Sequence, residues 1–257
     1  MTLSANVHYT WNAMEPLIQN KLLEINRAFY NHFDGSFSAT RGHVQPGVNK
    51  LLKQFNQDIQ VLDVGCGNGT LARALKSQEF TGFYLGVDMS AGLLEKAKTL
   101  LGASSNSHFD FCQFDIADPQ WPDHLPAKTY QWVAVFAVLH HLPGNDLRLQ
   151  IARNFRKLIS PDGCVTVSVW QWQNSLRLRK RVLPWFTVGL HPQQLDEGDV
   201  LLDWRAGKTI GLRYVHTFSQ ESLTSLANAA GFKVVETFFS DGKNGDLAMY
   251  QVWKVQD

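Results

Sequence analysis

A short apolar strand that runs directly into a glycine-rich turn constrains the fold of this chain more than any other feature. The apolar run covers residues 61–64, and Gly65, Gly67 and Gly69 alternate after it before a helical pattern begins at Thr70. Glycine allows positive φ and a close approach to the backbone, and a helix amino terminus presents unpaired N–H groups. The pattern predicts a ligand-binding turn, although an ordinary turn can also carry such glycines.

Short apolar runs alternate with longer amphipathic stretches after this turn. This order predicts a parallel sheet with helices on both faces, whose strands need the near-continuous Val, Ile, Leu and Phe seen here. We expect strands at residues 60–64, 82–88, 109–115, 132–139 and 163–170, with helices between them at 70–76, 93–101 and 147–159, the last ended by a turn at 160–163.

The carboxyl-terminal part predicts an antiparallel addition to this sheet. Ser219 is placed to cap a helix at 220–230, and strands at 232–239 and 247–255 flank a connection at 240–245. That connection is rich in Gly, Asp and Asn, which is typical of a hairpin.

Two other segments lack the alternation. Residues 1–58 show helical patterns at 15–33 and 46–55, which predict a helical layer packed on the sheet edge. Residues 171–215 carry scattered Pro, Gly and Trp and no convincing strand, so we interpret them as an inserted lid.

The expected fold is therefore one α/β domain of 257 residues. It is a Rossmann-like, doubly wound, seven-stranded and mostly parallel sheet with an antiparallel carboxyl-terminal hairpin. We expect its four parts to be the helical layer at 1–58, a ligand-binding core at 59–170, the lid insertion at 171–215, and the last helix and hairpin at 216–257.

Three acidic residues lie at the ends of successive expected strands. Asp63, Asp88 and Asp115 should share one rim, because the carboxyl ends of parallel strands meet at one edge, where α/β sheets bind ligands. Three fixed carboxylates would repel the phosphates of a dinucleotide. S-adenosylmethionine carries a sulfonium and an ammonium and no phosphate, so the acidic rim favours this methyl donor as the cofactor.

The segment at 63–69, together with Asp88, Asp115 and the strand at 135–139, resembles the class I S-adenosylmethionine-dependent methyltransferases over residues 59–170. The resemblance implies that the glycines face the methionine and ribose and that Asp88 holds the ribose hydroxyls. It further implies that Asp115 meets the adenine amino group. The predicted cofactor-binding residues are Asp63, Gly65, Cys66, Gly67, Asn68, Gly69, Asp88, Met89, Asp115, Ile116, Phe136, Ala137 and Arg41.

Four segments outside this core resemble the family that methylates a carboxymethyl group on the wobble uridine of transfer RNA. They are Phe-Ser-Ala-Thr-Arg at 37–41, Val-Leu-His-His at 138–141, Val-Trp at 169–170 and Arg-Tyr-Val-His at 213–216. Family members continue Thr-Arg with a Pro-Trp-Pro element, of which this chain keeps only Pro46. The resemblance implies a modified uridine in transfer RNA as the methyl acceptor.

The acceptor decides which side chains take part in the chemistry. A carboxylate is already ionised at neutral pH and needs a positive partner, for which the resemblance offers Arg41, Arg213 and His216. A hydroxyl or amine acceptor would profit from a general base, His140 or His141. A histidine beyond a strand end can also simply cap backbone groups. The catalytic candidates are His140, His141, Arg41 and Arg213, and Tyr9, Trp11 and Tyr30 are expected to close over the donor or to pack as apolar residues.

The charge balance leaves two acceptor classes open. Lys and Arg number 24 against 23 Asp and Glu, for a net charge of +1, which excludes an overall basic surface. The basic run at 177–181 can bind phosphates or form a solvated helix face. The alternatives to transfer RNA are a small carboxylate, hydroxyl or amine metabolite, or a binding module without chemistry.

The remaining composition sets the expected surroundings. Three cysteines are too few and too widely spaced for a disulfide framework or a zinc site, so we expect a reducing cytoplasm and no metal. The longest apolar run, 132–139, is far shorter than the roughly 20 residues that cross a bilayer, so no membrane is expected as a partner. The composition does not identify a protein partner.

Overall fold

The structure is a computed structural model that describes residues 13–39, 42–102, 108–127, 129–206 and 209–256, and only the backbone at 33–39, 206 and 209. Its strands are β1 (Gln60–Val64), β2 (Phe83–Asp88), β3 (Phe109–Gln113), β4 (Tyr130–Phe136), β5 (Ile159–Trp170), β6 (Val182–Leu183), β7 (Asp199–Ala206), β8 (Thr209–His216), β9 (Phe232–Ser240) and β10 (Ala248–Val255). Its α-helices are α1 (Pro16–Ala39), α2 (Pro46–Leu52), α3 (Thr70–Ser77), α4 (Ala91–Leu101), α5 (Asn145–Leu158), α6 (Leu176–Arg179) and α7 (Gln220–Ala229).

Seven strands form one sheet in the order β3-β2-β1-β4-β5-β10-β9. The first five are parallel, and β10 runs antiparallel to both β5 and β9. The chain order reverses between β1 and β4, which creates a crevice at the carboxyl ends of these two strands. The predicted doubly wound sheet with a carboxyl-terminal hairpin is confirmed.

Alternate side chains of each central strand enter two apolar clusters on opposite faces. On one face Leu62 and Val133 pack with α5 and α7. On the other face Val61 and Trp132 pack with α2, α3 and α4. All four of these strand side chains are fully buried, so both faces of the strands are covered and the rim remains as the place for a ligand.

The turn predicted at 160–163 lies within β5. Pairing between β4 and β5 passes from Tyr130–Ile159 to Trp132–Cys164, so the residues between Ile159 and Cys164 bulge out of the ladder. Pro161 has no N–H to donate to a ladder, which fits its position in a bulge.

The insertion at 171–215 differs from the expectation that it contains no strand. Strands β6, β7 and β8 form a second, antiparallel sheet there. The apolar alternation of these strands is interrupted by Asp199, Asp203 and Arg213, all of which are buried. Charged residues inside a strand normally indicate an exposed segment, and only their tertiary partners make burial possible here.

The amino-terminal helices occupy two different places. Helix α2 packs against β9, the edge strand of the large sheet, as predicted. Helix α1 instead packs Ile18 and Leu22, together with Met14 just before the helix, against Leu190 and Tyr214 of the insertion. The helical layer is therefore split, and α1 joins the small sheet rather than the edge of the large one. Among the described residues, no helix combines the length and apolar character needed to cross a membrane.

Candidate functional site

The glycine turn after β1 is folded back against the end of β2. The N–H groups of Gly65 and Cys66 donate to the Val87 carbonyl at 2.8 and 3.0 Å. Gly65 has a φ of +71° and a Cβ there would lie 2.4 Å from Cγ2 of Val138, whereas the Cβ direction of Gly67, with φ +56°, is open. Gly65 permits the tight turn, and Gly67 leaves free space on the cavity side.

The third glycine of the motif has a structural position. Gly69 is the N-cap of α3 with φ +71°, and a Cβ there would lie 2.9 Å from Cβ of Ala97. It does not line the cavity that Gly65 and Gly67 line. The prediction that Gly69 faces a ligand is thus not supported by the structure, because this glycine is needed for contact between α3 and α4.

Asp88, at the end of β2, is held by backbone donors. Its two oxygens accept from Gly67 N and Ser90 N, each at 2.9 Å. Burial raises the pKa of the Asp88 carboxyl, and these backbone hydrogen bonds oppose the rise. An ionised carboxylate has about four acceptor sites, so Asp88 keeps acceptor capacity for the hydroxyls of a ligand.

Asp63 lies in β1 beneath the same turn. It is buried and accepts a hydrogen bond of 2.7 Å from the Tyr84 hydroxyl. Burial raises the pKa of Asp63 to about 7, the Asp88 charge adds to the rise, and the Tyr84 hydrogen bond opposes it. A cationic ligand would favour the charged form of this carboxyl.

Asp115, beyond β3, is paired with an arginine that the sequence analysis did not identify. Arg27 of α1 donates to Oδ2 of Asp115 through both Nε, at 3.0 Å, and Nη2. Oδ1 accepts from Ala117 N at 2.9 Å. Helix α1 is thereby joined to the rim of the large sheet.

The end of β4 is bent sharply at the cavity wall. Ala137 has φ +57°, a left-handed conformation that is unfavourable for a residue with a Cβ. Its N–H donates to the Ser168 carbonyl at 3.0 Å and lies 3.0 Å from the Ser168 hydroxyl. These contacts with β5 stabilise the bend that brings Phe136, Ala137 and Val138 to the cavity.

The two consecutive histidines point to different surroundings. His141 lines the cavity, and its Nδ1 lies 3.2 Å from the Tyr214 carbonyl. Because a carbonyl only accepts, Nδ1 carries the proton, and the neutral ring has its acceptor lone pair on Nε2. His140 is fully buried, stacks on Trp170 at 5.3 Å, and does not line the cavity.

The Arg-Tyr-Val-His segment forms a buried framework. The Arg213 guanidinium lies 4.7 to 5.0 Å from the ring centroids of Phe29, Trp170 and Trp204. The Tyr214 hydroxyl donates to Asp199 at 2.7 Å, and Nδ1 of His216 lies 2.7 Å from the same carboxylate oxygen. None of these three segment residues lines the cavity. Arg213 and His216 are therefore not brought to the place predicted for an acceptor.

A cavity of about 210 Å³ collects most of the predicted residues. Those that line it are Asp63, Gly65, Cys66, Gly67, Asn68, Asp88, Met89, Asp115, Ile116, Phe136, Ala137, His141 and Tyr30. Arg41, Tyr9 and Trp11 lie outside the described residues. Three carboxylates on one side of the cavity suit a ligand that carries positive charge and hydroxyl groups.

Much of the rest of the cavity wall was not predicted from the sequence. Helix α1 contributes Leu23, Asn26 and Arg27 in addition to Tyr30, and the segment before α2 contributes His43, Val44 and Gln45. Residues 23, 26, 27 and 30 have the spacing of one helical stripe of mixed polarity, next to the apolar residues 18 and 22 that pack on the insertion. The stripe at 23, 26, 27 and 30 is the sequence signal that could have predicted this part of the cavity wall.

Comparison with protein families shows a match to the family described as a methyltransferase domain, over residues 37–237. A candidate methyltransferase of Encephalitozoon cuniculi is 26% identical over 209 residues, which cover 81% of this chain and 87% of that protein. The tRNA (carboxymethyluridine(34)-5-O)-methyltransferase of Schizosaccharomyces pombe is 24% identical over 216 residues, which cover 80% of this chain and 88% of that protein.

Solved structures share the fold. The 1,6-didemethyltoxoflavin-N1-methyltransferase of Burkholderia thailandensis, with bound 1,6-didemethyltoxoflavin and S-adenosylhomocysteine, superimposes with a TM-score of 0.63 at 16% identity. The match covers 95% of this chain and 91% of that chain. The two architectures therefore correspond over almost their whole length.

Proposed function

This chain belongs to the methyltransferase domain family, and from that premise we propose that its methyl acceptor is a modified uridine of transfer RNA. The chain is an S-adenosylmethionine-dependent methyltransferase, and S-adenosylmethionine is its cofactor. The acceptor proposal is supported chiefly by the likeness to the S. pombe enzyme, which extends over 80% of this chain and so beyond the cofactor-binding core.

The described residues of the cavity fit this cofactor. The open side of Gly67 leaves room beside the turn, Asp88 retains acceptor sites for ribose hydroxyls, and the carboxylates suit the ammonium and sulfonium charges. We propose Asp63, Gly65, Gly67, Asp88 and Asp115 as the residues that hold it. The other predicted lining residues, Cys66, Asn68, Met89, Ile116, Phe136 and Ala137, would complete the contact. Burial raises the pKa of the Cys66 thiol well above its usual range, so Cys66 fills space rather than reacting.

When bound, S-adenosylmethionine supplies an electrophilic methyl group on a positively charged sulfur. The contribution of the chain is to orient the acceptor in line with that group and to keep water out. Helix α1 and the segment at 43–48 cover the cavity on the side opposite the strand ends. We propose that they exclude water during methyl transfer.

His141 is the histidine that we propose for contact with the acceptor. Its ring lies at the cavity wall, in an edge-to-face contact with Tyr30 at 5.5 Å, and the Tyr214 carbonyl holds its tautomer. An acceptor carboxylate needs no general base, so His141 would position it, whereas a hydroxyl or amine would give its proton to Nε2. His140 and Arg213 would act indirectly, by packing against Trp170.

An exposed basic segment of the insertion supports an RNA acceptor. Arg177, Arg179 and Lys180 are exposed, and Phe186, six positions after Lys180 in the sequence, is 74% exposed. Exposed cations and an exposed aromatic ring within one segment suit a nucleic-acid strand, because phosphates can bind the cations and bases can stack on the ring. Arg181 pairs with Asp203 at 3.3 Å, so it belongs to the fold of the insertion rather than to this exposed set.

Binding of transfer RNA to matched charge variants tests the acceptor. Arg177→Ala with Lys180→Ala should weaken binding several-fold and lower the salt slope by about two, roughly one per lost phosphate contact. Arg153→Ala with Lys157→Ala removes two exposed cations of α5 and should change neither quantity. Equal binding by both variants, with no methyl transfer to transfer RNA that carries a carboxymethyl uridine, would contradict the proposal.

A small-molecule acceptor is the second candidate. The net charge of +1 provides no general attraction for a polyanion, and the B. thailandensis neighbour was solved with a small heterocycle. Transfer of a labelled methyl group to free carboxylates or amines, without RNA, would favour this candidate. A cytoplasmic location, proposed from the cysteine content, is compatible with both.

A further inference from the structure

Helix α1 carries one stripe of residues toward the carboxyl ends of the large sheet. Leu23, Asn26, Arg27 and Tyr30 all line the cavity, with the 3-4-3 spacing of a single helical face. Asp115, beyond β3, lines the same cavity, so the Arg27–Asp115 pair lies within its wall. This pair joins a segment far from the core in sequence to a residue predicted to bind the cofactor.

The hydrogen bonds of Asp115 leave its carboxylate nearly saturated. Oδ2 accepts from both Nε and Nη2 of Arg27, and Oδ1 accepts from Ala117 N. An ionised carboxylate has about four acceptor sites, two on each oxygen. Donors from the described part of the chain occupy three of them, which leaves one site on Oδ1 for a donor from a ligand.

Arg27 is itself held from both sides. Its Nη1 contacts Oε1 of Glu24, one turn earlier on α1, while the other two nitrogens engage Asp115. Arg27 and Asp115 are each only one-third exposed. Because the planar guanidinium makes hydrogen bonds on two sides, its orientation is fixed. A lysine ammonium cannot form this two-nitrogen contact with a carboxylate.

Charge adds a second reason for this placement. Among the described residues that line the cavity, Asp63, Asp88 and Asp115 are acidic, and Arg27 is the only lysine or arginine. Arg27 pairs with Asp115 and so offsets the negative charge of one of the three carboxylates in the cavity wall. Asp63 and Asp88 are not among the partners of Arg27, so both carboxylates remain available to a ligand.

We propose that Arg27 is a positioning residue for the cofactor: it orients Asp115 so that the one remaining acceptor site meets a donor of the adenosine half, and it pins α1 across the cavity. Cofactor binding and the seating of α1 are therefore coupled through one ion pair. Neither role depends on the identity of the methyl acceptor.

Calorimetric titration with S-adenosylhomocysteine and with S-adenosylmethionine, without any acceptor, tests this role. Arg27→Ala should weaken the binding of both ligands about tenfold, as expected when hydrogen bonds to a charged group are lost. Arg27→Lys should recover part of the loss, because it restores the charge but not the two-pronged contact. Lys21→Ala removes an exposed cation from the same helix and should leave the affinity unchanged.

A double-mutant cycle separates positioning from general support of the fold. In an Asp115→Asn background, Arg27→Ala should cost less than twofold in affinity, because its partner has already lost the charge. The dissociation rate of S-adenosylhomocysteine, followed by stopped flow, should rise in Arg27→Ala more than the association rate falls. A folded Arg27→Ala protein with unchanged affinity, or the same tenfold loss in both backgrounds, would overturn the proposal. Because no acceptor is present, these outcomes are independent of the transfer RNA proposal.

Discussion

At the scale of single residues, the cavity wall contains three carboxylates with different hydrogen-bond partners. Asp88 has backbone donors at 2.9 Å on both oxygens, Asp63 has one tyrosine hydroxyl, and Asp115 has an arginine. The three carboxylates therefore differ in the number of acceptor sites that they keep for a ligand. Each difference can be measured separately.

Replacing Asp88 by alanine should weaken cofactor binding by about 1 to 3 kcal/mol, because the ribose hydroxyls would lose a charged acceptor. Isothermal titration with S-adenosylhomocysteine measures this directly. Asp162→Ala removes an equal charge from an exposed position in the β5 bulge and serves as the control. If both variants bind equally well, Asp88 does not contact the cofactor.

Asp63 should make cofactor binding depend on pH. Burial raises its pKa to about 7, so free protein holds a proton on Asp63 below that pH and loses it above. A bound cation favours the carboxylate and lowers this pKa, so binding releases a proton, and affinity declines as the pH falls below about 7. Calorimetry near pH 6.5, in two buffers of different ionisation enthalpy, counts the protons. Asp63→Asn should release none, and the same release from that variant would assign the proton to another group.

Local pattern made the residues of the sheet rim predictable, and distance in sequence hid the others. Asp63, Gly67 and Asp88 follow strands whose parallel order places their ends together. Arg27 meets Asp115 across 88 positions, and its contact requires knowing where α1 packs. His140 and His141 are adjacent in sequence, but only the bend at Ala137 decides which of them reaches the cavity.

At the scale of elements, the cavity is closed by a short helix whose start is fixed to the opposite end of the chain. Gly47 N donates to Oδ1 of Asp241 at 2.9 Å, and the Tyr250 hydroxyl donates to Oδ2 at 2.6 Å. Val44, Gln45 and Val48 beside this contact line the cavity. The turn between β9 and β10 thus helps to position α2 and the residues before it at the cavity.

Gly47→Ala should disturb that contact. A Cβ at Gly47 would lie 2.3 Å from the Tyr250 ring, so the helix or the ring must shift. We expect a loss of about 1 to 3 kcal/mol in the free energy of unfolding, typical of overpacking, and weaker cofactor binding. Gly42→Ala is the matched control, since its Cβ would meet nothing within 4 Å. Urea unfolding compares the two, and equal midpoints would mean that α2 adapts at no cost.

Elements with strong apolar periodicity were predictable, and elements stabilised by buried ions were not. The predicted β1 at 60–64 agrees with the structure residue for residue, and the Ser219 cap precedes α7 as expected. Strands β7 and β8 contain Asp199, Asp203 and Arg213 at buried positions. Asp203 pairs with Arg181, 22 positions away, and Asp199 with His216, 17 positions away. No local pattern contains that information.

At the scale of the whole molecule, a buried polar network joins the insertion to the core. Arg148 of α5 bonds to the Leu142 carbonyl, to Asp196 and to the Tyr214 hydroxyl, at 2.7, 2.7 and 3.2 Å. Asp199 in turn holds Tyr214 and His216. Besides the packing of α1, the attachment of the small sheet to the core therefore includes one arginine that is 1% exposed.

Removing that arginine should loosen the insertion. Arg148→Met leaves the partly buried Asp196 carboxylate without its cation and removes the donor to the Leu142 carbonyl, which should cost about 1 to 3 kcal/mol of unfolding free energy. Limited proteolysis should then cut within 171–215 at lower protease concentration. Arg153→Met, exposed on the same helix, controls for the change of side chain. Wild-type stability in Arg148→Met would show that the insertion is held by its apolar contacts alone.

The packing of α1 also has a consequence for how the protein is made. Ile18 and Leu22 of this helix pack against Leu190 and Tyr214, which are synthesised more than 160 residues later. At a synthesis rate of about 5 to 20 residues per second, the apolar side chains of this helix are without these partners for roughly 10 to 40 s. The wall of the cavity that α1 provides can therefore take its final position only after β8 has been synthesised.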